Sequence, residues 1–296
     1  MVMVDENPSD VSMFMYQAPR LTNKQFNFFS ELIYTICGIK LPPIKKAMLI
    51  ARISKRLRAL QIPSFAEYID FISSPEGEAQ ELVHLIDTVS TNKTDFFREA
   101  DHFNFITQRY LPELAGRCRT EGGRRELRIW SAGCSSGEEP YTMAMVLADF
   151  AAANPWFSYA ILATDISTKM LAMASQAVYA DSRITTIPET YRRRYLMRGK
   201  GAHEGTHRIV PELRQRITFR RLNFLDSEFD LRKQMDIIFC RNVIIYFDQK
   251  TQMALFQKFY RNLAPGGYLF IGHSEALVGL DDRMTRVAAS VFTSRK

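Results

Sequence analysis

From Leu21 to about Ser90 the apolar residues recur at helical spacing, and no alternating strand pattern interrupts them. Thr22 is a candidate cap for a helix whose apolar face carries Phe26, Phe29, Leu32, Ile33 and Ile36, with Gly38 closing it. Leu41-Pro42-Pro43 then breaks the chain. A second helix is expected from Ile44 to Leu60, with Met48, Ala51 and Leu57 toward the core. A third follows from Phe65 to Ile72 behind the cap Ser64, and a fourth from Glu78 to Val89. Residues 21–90 thus read as a small all-helical domain. The stretch from Met1 to Arg20 is polar and rich in methionine, and is expected to be a loose tail. Residues 91–125 read as a linker, with one helix from about Asp101 to Cys118 and the polar run Arg119 to Arg125 after it.

Beyond residue 126 the period changes. Ile129 to Ala132 is a short β-prone run, followed by a glycine turn and a helical pattern that starts at Pro140 with Tyr141, Ala144, Met145, Leu147 and Ala148. Strands are expected over Tyr159 to Asp165 and Tyr268 to Gly272. The continuous apolar run Met235 to Cys240 reads as a parallel strand buried on both faces. Helices from Thr168 to Gln176 and from Thr251 to Leu263 alternate with them, and Ala264-Pro265-Gly266-Gly267 turns into the last strand. Alternation of this kind predicts an α/β, doubly wound sheet of Rossmann-like type over residues 126–296. The segment from Tyr191 to Asn223 interrupts the alternation. Arg208-Ile209-Val210 and Ile217-Thr218-Phe219 look like short strands, so a small β insertion is expected at about 191–222.

Composition narrows the class. A chain of 296 residues predicts about two domains, and 46% hydrophobic with 24% charged residues is ordinary for a globular protein. No apolar run reaches the roughly 20 residues a membrane helix needs. The first dozen residues carry Asp5, Glu6 and Asp10 rather than a basic start, so a cytoplasmic protein without membrane insertion is expected. Four scattered cysteines, Cys37, Cys118, Cys134 and Cys240, indicate neither a disulfide framework nor a zinc site. His203-Glu204-x-x-His207 matches a zinc-protease signature. Glycines at 199, 201 and 205 argue for a loop there, whereas that motif needs a helix to bring both histidines to one face, so no metal is expected.

The net charge of +7 favours an acidic partner, and the charge is concentrated. Between Lys40 and Ala66 lie seven basic residues, Lys40, Lys45, Lys46, Arg52, Lys55, Arg56 and Arg58, and no acidic one. Lys45, Arg52 and Arg56 fall on one helical face. A solvated helix face accounts for many such runs. The absence of acidic residues along this helix favours a docking surface for nucleic acid or for a Glu-rich protein helix.

Leu127 to Tyr141 carries the chemistry. Strand, glycine turn and helix N-terminus form a nucleotide crevice in α/β folds, although an ordinary strand-to-helix turn has the same outline. Here Glu138 and Glu139 occupy the first helical turn, where they suit the helix dipole and would repel a phosphate. They suit a ligand with an adenosine end and a cationic end, such as S-adenosylmethionine. Asp165 ends its strand about 30 positions later, where a carboxylate can hold both ribose hydroxyls.

Six motifs, taken together, resemble the chemotaxis receptor methyltransferase (CheR) family. They are Thr91-Asn92-x-Thr94-x-Phe96-Phe97-Arg98-Glu99, Gly133 to Tyr141, Thr164-Asp165-Ile166, Asn223-Phe224, Cys240 to Asp248, and Gly272-His273-Ser274-Glu275. The resemblance runs from about Leu21 to Lys296, with Cys134 where relatives often carry alanine. It implies an all-helical N-terminal domain that docks receptors, a linker, and a methyltransferase domain bearing a three-stranded antiparallel β subdomain. It implies S-adenosyl-L-methionine as donor, S-adenosyl-L-homocysteine as product, and glutamate side chains of membrane chemoreceptors as acceptors. Carried over position by position, the cofactor residues would be Asn92, Thr94, Arg98, Glu138, Asp165, Asn223, Phe224, Arg241 and Asn242. The basic helix, with Lys45, Arg52, Lys55, Arg56 and Arg58, resembles the family's receptor-docking helix. The loop from Gly199 to Gly205 resembles the β subdomain of members that bind a receptor's C-terminal tail peptide. A monomer with no nucleic-acid partner is expected.

The chemistry of such a reaction makes few demands. A glutamate, with an ordinary pKa of about 4.3, is already ionised at neutral pH, so methyl transfer to it needs orientation rather than a general base. Arg98 could clamp the acceptor carboxylate through two N–H groups, with Tyr246 packing or hydrogen-bonding at the methyl. Where amine-methylating nucleic-acid enzymes favour Asn-Pro-Pro-Tyr, this chain reads Arg241-Asn242-Val243. A nucleic-acid methyltransferase and a non-catalytic sensor of S-adenosylmethionine or its product are the alternatives.

Overall fold

A computed structural model of the chain describes residues 20–121, 125–280 and 282–296. The expected tail before Arg20, and part of the polar run after Cys118, lie outside the described residues.

Four helices form the first layer: α1 (Asn23–Cys37), α2 (Lys46–Leu60), α3 (Phe65–Ile72) and α4 (Pro75–Val89). Their starts follow local chemistry. Thr22 caps α1 in a reciprocal pair with Gln25, and Ser64 and Ser74 cap α3 and α4; such caps are each worth about 1 kcal/mol. With Ser74 as cap and Pro75 next, α4 begins three residues before the expected Glu78. The four helices bury Phe29, Ile33, Leu49, Ile53, Phe65, Tyr68 and Leu85 in one cluster. The core face of α2 is Leu49, Ile53 and Leu57; Ala51, expected inside, is exposed, and Met48 is only half-buried.

The linker helix runs as α5 (Ala100–Phe105), a π-helical turn (Ile106–Tyr110) and α6 (Leu111–Glu121). The second domain follows as β1 (Arg125–Ala132), α7 (Glu138–Ala153), β2 (Phe157–Asp165), α8 (Thr168–Gln176), β3 (Val178–Ala180), α9 (Glu189–Tyr195), β4 (Leu196–Arg198), β5 (Thr206–Ile209), α10 (Pro211–Arg214) and β6 (Ile217–Arg221). It ends with β7 (Met235–Cys240), α11 (Gln249–Asn262), β8 (Leu263–Ile271), β9 (Met284–Ala288) and β10 (Val291–Ser294). The main sheet has the order β6-β2-β1-β7-β8-β10-β9, parallel through β8 and antiparallel at β10. β7 is buried at all six positions, as its apolar run required. Pro265-Gly266-Gly267 does not break the last parallel strand; it lies inside β8, where the register with β7 shifts.

The insertion differs from expectation at both ends. The small sheet has the order β3-β5-β4, all antiparallel, and therefore begins at Val178, before Tyr191. Ile217 to Phe219 is not part of it. β6 pairs in parallel with β2 at Ile161↔Ile217 and forms the edge of the main sheet.

Candidate functional site

The carboxyl ends of β1, β2 and β7 converge with the helical domain on one cavity. Counted with the solvent at its mouth, the space there is about 890 Å³. Asn92, Thr94, Arg98, Asp165, Asn223, Phe224, Arg241, Asn242 and Tyr246 all line it. Glu138 does not. α7 begins at Glu138 rather than at Pro140, and its first turn points Glu138 away from the cavity and Glu139 into it. Glu138 is fully buried, with Ser136 Oγ donating to it at 2.7 Å and Arg183 forming an ion pair with it.

The helical domain supplies part of the wall through Cys37, Ile39 and Ser90. Besides bonds from Thr168 and Lys169 to Asp87, three others tie it to the second domain. Asn223 Nδ2 donates to the carbonyl of Ile36 at 2.6 Å, the Lys40 amide donates to the carbonyl of Tyr246 at 2.9 Å, and the Tyr34 hydroxyl donates to Asp248 at 2.6 Å. The last bond holds the Asp248 carboxyl down to about 2.

Each carboxylate in the wall is fixed before any ligand arrives. Asp165 accepts the Ser135 amide at 2.8 Å and the Ser167 amide at 2.9 Å, while burial pushes its carboxyl up. Glu139 accepts Ser131 Oγ–H on one oxygen and Arg241 Nε–H on the other, both at 2.7 Å. Arg241 continues the chain. Its Nη1 donates to the carbonyl of Arg98 at 2.6 Å and lies 3.3 Å from Nδ1 of His102. Phe97 and Glu99, which flank Arg98, hold left-handed backbone with φ of 55° and 54°. Bonds from Phe97 N to Thr142 and from Asn242 Nδ2 to the Glu99 carboxylate keep that strained segment in place. The Arg98 side chain itself donates only to the carbonyl of Lys93, at 3.0 Å, among the described residues. Arg98 lines the cavity and also a neighbouring pocket with Phe96 and Phe97.

Gly133 shows how close the walls come. Its φ is +87°, and a Cβ there would meet Val243 Cγ2 at 2.6 Å. Only glycine lets β1 pass into the turn against that side chain.

The basic helix divides into two groups. Lys45, just before α2, and Lys55 and Arg58 on it are exposed. Arg52 and Arg56 are turned toward α4. Arg56 makes two bonds of 2.6 Å to the buried Glu81, and Arg52 donates to the carbonyls of Val89 and Ser90 at 2.6 and 3.0 Å. The helix therefore has an acidic partner, contributed from 25 residues away. His207, in the rejected zinc signature, lies on strand β5 with Nδ1 3.0 Å from Asp181.

Two family descriptions cover this architecture. "CheR methyltransferase, all-alpha domain" matches residues 24–90, and "CheR methyltransferase, SAM binding domain" matches residues 92–293. The chain belongs to the CheR methyltransferase family. It is 40% identical over 260 residues to a chemotaxis protein methyltransferase of Borreliella burgdorferi, covering 88% of this chain and 90% of that one. It is 38% identical over 293 residues to chemotaxis protein methyltransferase 2 of Pseudomonas aeruginosa, covering 98% and 99% of the two chains. With the chemotaxis protein methyltransferase of Escherichia coli it shares 38% identity over 278 residues, covering 93% and 92%.

As a member of the CheR family the chain is a methyltransferase that uses S-adenosylmethionine, and the cavity has the chemistry for it. Glu139 and Asp165 keep acceptor capacity for an ammonium and for hydroxyls, since each oxygen has a second lone pair. Leu222, Phe224, Val243 and Phe247 provide the apolar wall a purine ring needs. Glu139 was read from sequence beside Glu138 but not placed among the cofactor residues; Ser135, which lines the cavity, His102, beside Arg241, and Arg183, bonded to Ser136, were not singled out.

Proposed function

We propose that the protein transfers methyl groups from S-adenosylmethionine to glutamate side chains of chemoreceptors, forming methyl esters. Enzymatic methylation in chemotaxis follows from the family; the acceptor and the roles of individual residues are our reading. The observation that carries it is the composition of the cavity wall. Arg98 and Tyr246 share it with the buried carboxylates, and among the described residues no histidine lines it. When bound, S-adenosylmethionine supplies a methyl on a sulfonium, with a neutral sulfide as leaving group.

The protein's own task is to orient a nucleophile that needs no deprotonation. Arg98 offers parallel N–H donors to the acceptor carboxylate and aims one oxygen. Arg241, held by Glu139, fixes the backbone of Arg98 and keeps its own charge out of competition for the acceptor. Tyr246 supplies a ring and a hydroxyl at the same wall. Asn92, Thr94, Asp165, Asn223, Phe224 and Asn242 hold the donor, and Glu139 replaces Glu138 in that set.

Receptor recognition is assigned to two surfaces. Lys45, Lys55 and Arg58 face outward and suit the acidic helices in which acceptor glutamates sit. Strand β4 is an edge of the small sheet, with its central residue Met197 exposed, and suits an added strand from a receptor tail. The reading is of a monomeric cytoplasmic enzyme. The test is mass spectrometry of a chemoreceptor's signalling domain after incubation with enzyme and donor. Addition of one methylene mass on glutamate-bearing peptides, absent when those glutamates are alanine, is expected. Methylation confined to lysine or to added nucleic acid would overturn the proposal.

A further inference from the structure

The glycine turn is gripped from outside the main sheet. Tyr179, the central residue of β3, donates its hydroxyl to the carbonyl of Ser136 at 2.7 Å. Arg183, in the short 3-10 turn directly after β3, donates to Ser136 Oγ at 3.0 Å and pairs with the Glu138 carboxylate. Ser136 thus has its backbone and its side chain both held by the small-sheet segment. Packing makes the same connection. Gly137 has φ +98°, and a Cβ there would meet Ala174 Cβ and Tyr179 Oη, each at 2.9 Å.

The other side of this turn is the cavity. Gly133 and Ser135 line it, and the Ser135 amide is bonded to Asp165. Ser135 is a serine in left-handed backbone, φ +49°, a conformation that persists only where neighbours enforce it. The neighbours that enforce it are Asp165 on one flank and the Ser136 clamp on the other. Arg183 is also the one cation paired with Glu138 among the described residues. Glu138 has no exposed surface, and burial pushes its carboxyl up while Arg183 and Ser136 oppose that push. Without Arg183, Glu138 must take a proton or move toward water. Either response shifts the first turn of α7, which carries Glu139 into the cavity.

We infer that Arg183 is a positioning residue for the cofactor: through Ser136 and Glu138 it fixes the wall formed by the glycine turn, so the base of the small sheet sets cofactor affinity. Arg183 does not line the cavity and touches no reacting atom. The inference rests on the reading of the cavity as the S-adenosylmethionine site.

The experiment is calorimetric binding of S-adenosylhomocysteine to the full chain. The variants are Arg183→Leu, Arg183→Lys, Glu138→Gln, and the double variant Arg183→Leu with Glu138→Gln. Uncompensated buried charge is costly, so Arg183→Leu is expected to weaken binding by about tenfold or more, with Arg183→Lys in between. The double variant is expected to recover to within about threefold of the parent, because a neutral amide needs no cation. In steady state the loss falls on KM for S-adenosylmethionine rather than on kcat. Should Arg183→Leu not fold, Arg183→Lys and the double variant carry the comparison. Parental affinity in Arg183→Leu, or no recovery in the double variant, overturns the inference. Failure of the parent to bind S-adenosylhomocysteine would instead remove the cofactor reading itself.

Discussion

The Nε of Arg241 lies 2.7 Å from Oε2 of Glu139, with the two side chains only 3% and 10% exposed. Both charges have left water, and Arg241 has a second carboxylate, that of Glu99, at 3.5 Å. Removing one partner of such a pair costs about 3–5 kcal/mol, because the survivor stays buried and uncompensated. Because Glu99 still faces Arg241, Glu139→Ala is expected to lower the unfolding free energy by less than that amount but by more than about 1 kcal/mol, and Glu139→Gln by less again. Urea unfolding of the three proteins checks this. A loss below about 1 kcal/mol for the alanine variant would mean that Glu99 alone compensates Arg241.

His102 gives the protein an acid-sensitive point. It has no exposed surface, its Nδ1 faces Arg241, and its Nε2 has no hydrogen-bond partner among the described residues. Burial first, and Arg241 second, lower its pKa from 6.5 to about 4, against weaker opposing effects of Asp101 and Glu99. Between those two values the unfolded chain binds the extra proton and the folded chain does not. Stability is therefore present above pH 6.5 and is lost as the pH falls toward 4. The urea midpoint of the parent is expected to fall more steeply across this window than that of His102→Gln. Parallel curves would place the acid sensitivity elsewhere.

The basic helix is expected to separate into docking and structural residues. Lys55→Glu with Arg58→Glu should raise KM for the receptor, more so at low salt, and leave S-adenosylhomocysteine affinity unchanged. Arg56→Ala should instead destabilise the helical domain. It strands Glu81, which is 2% exposed and also accepts the Tyr68 hydroxyl at 2.8 Å. Receptor kinetics and thermal unfolding on both variants distinguish the two effects. Unchanged KM in the double charge reversal would remove α2 as the docking surface.

Arg98→Ala removes a side chain whose one hydrogen bond among the described residues is to the carbonyl of Lys93. The fold should be kept, while methyl transfer falls by about 10²-fold, of the order positioning supplies. Single-turnover rates at saturating donor measure this. An unchanged rate would take Arg98 out of the mechanism.

Local chemistry made much of this fold legible. Thr22, Ser64 and Gly38 mark helix ends, and the runs at 159–165 and 235–240 form strands, the first starting two residues earlier at Phe157, because caps and apolar periodicity act over a few residues. What was misplaced depended on distant partners. Arg56 meets Glu81 across two helices, and β6 joins the main sheet only because β2 lies open beside it. β3 has three residues, too few for a period to show. Glu138 and Glu139 are adjacent carboxylates, and only the phase of the first turn of α7 decides which one enters the cavity. Arg183 sits in a polar turn with no local feature to set it apart.

The most direct test of the account uses S-adenosylmethionine labelled in its methyl group, the purified protein, and membranes that contain its chemoreceptors. Methyl esters release methanol in mild alkali, whereas N-methyl groups survive it. The account predicts label on the receptor band that is lost as methanol in alkali and is absent when the receptor's acceptor glutamates are alanine. Alkali-stable label would place the nucleophile on nitrogen and contradict the assignment of a carboxylate acceptor.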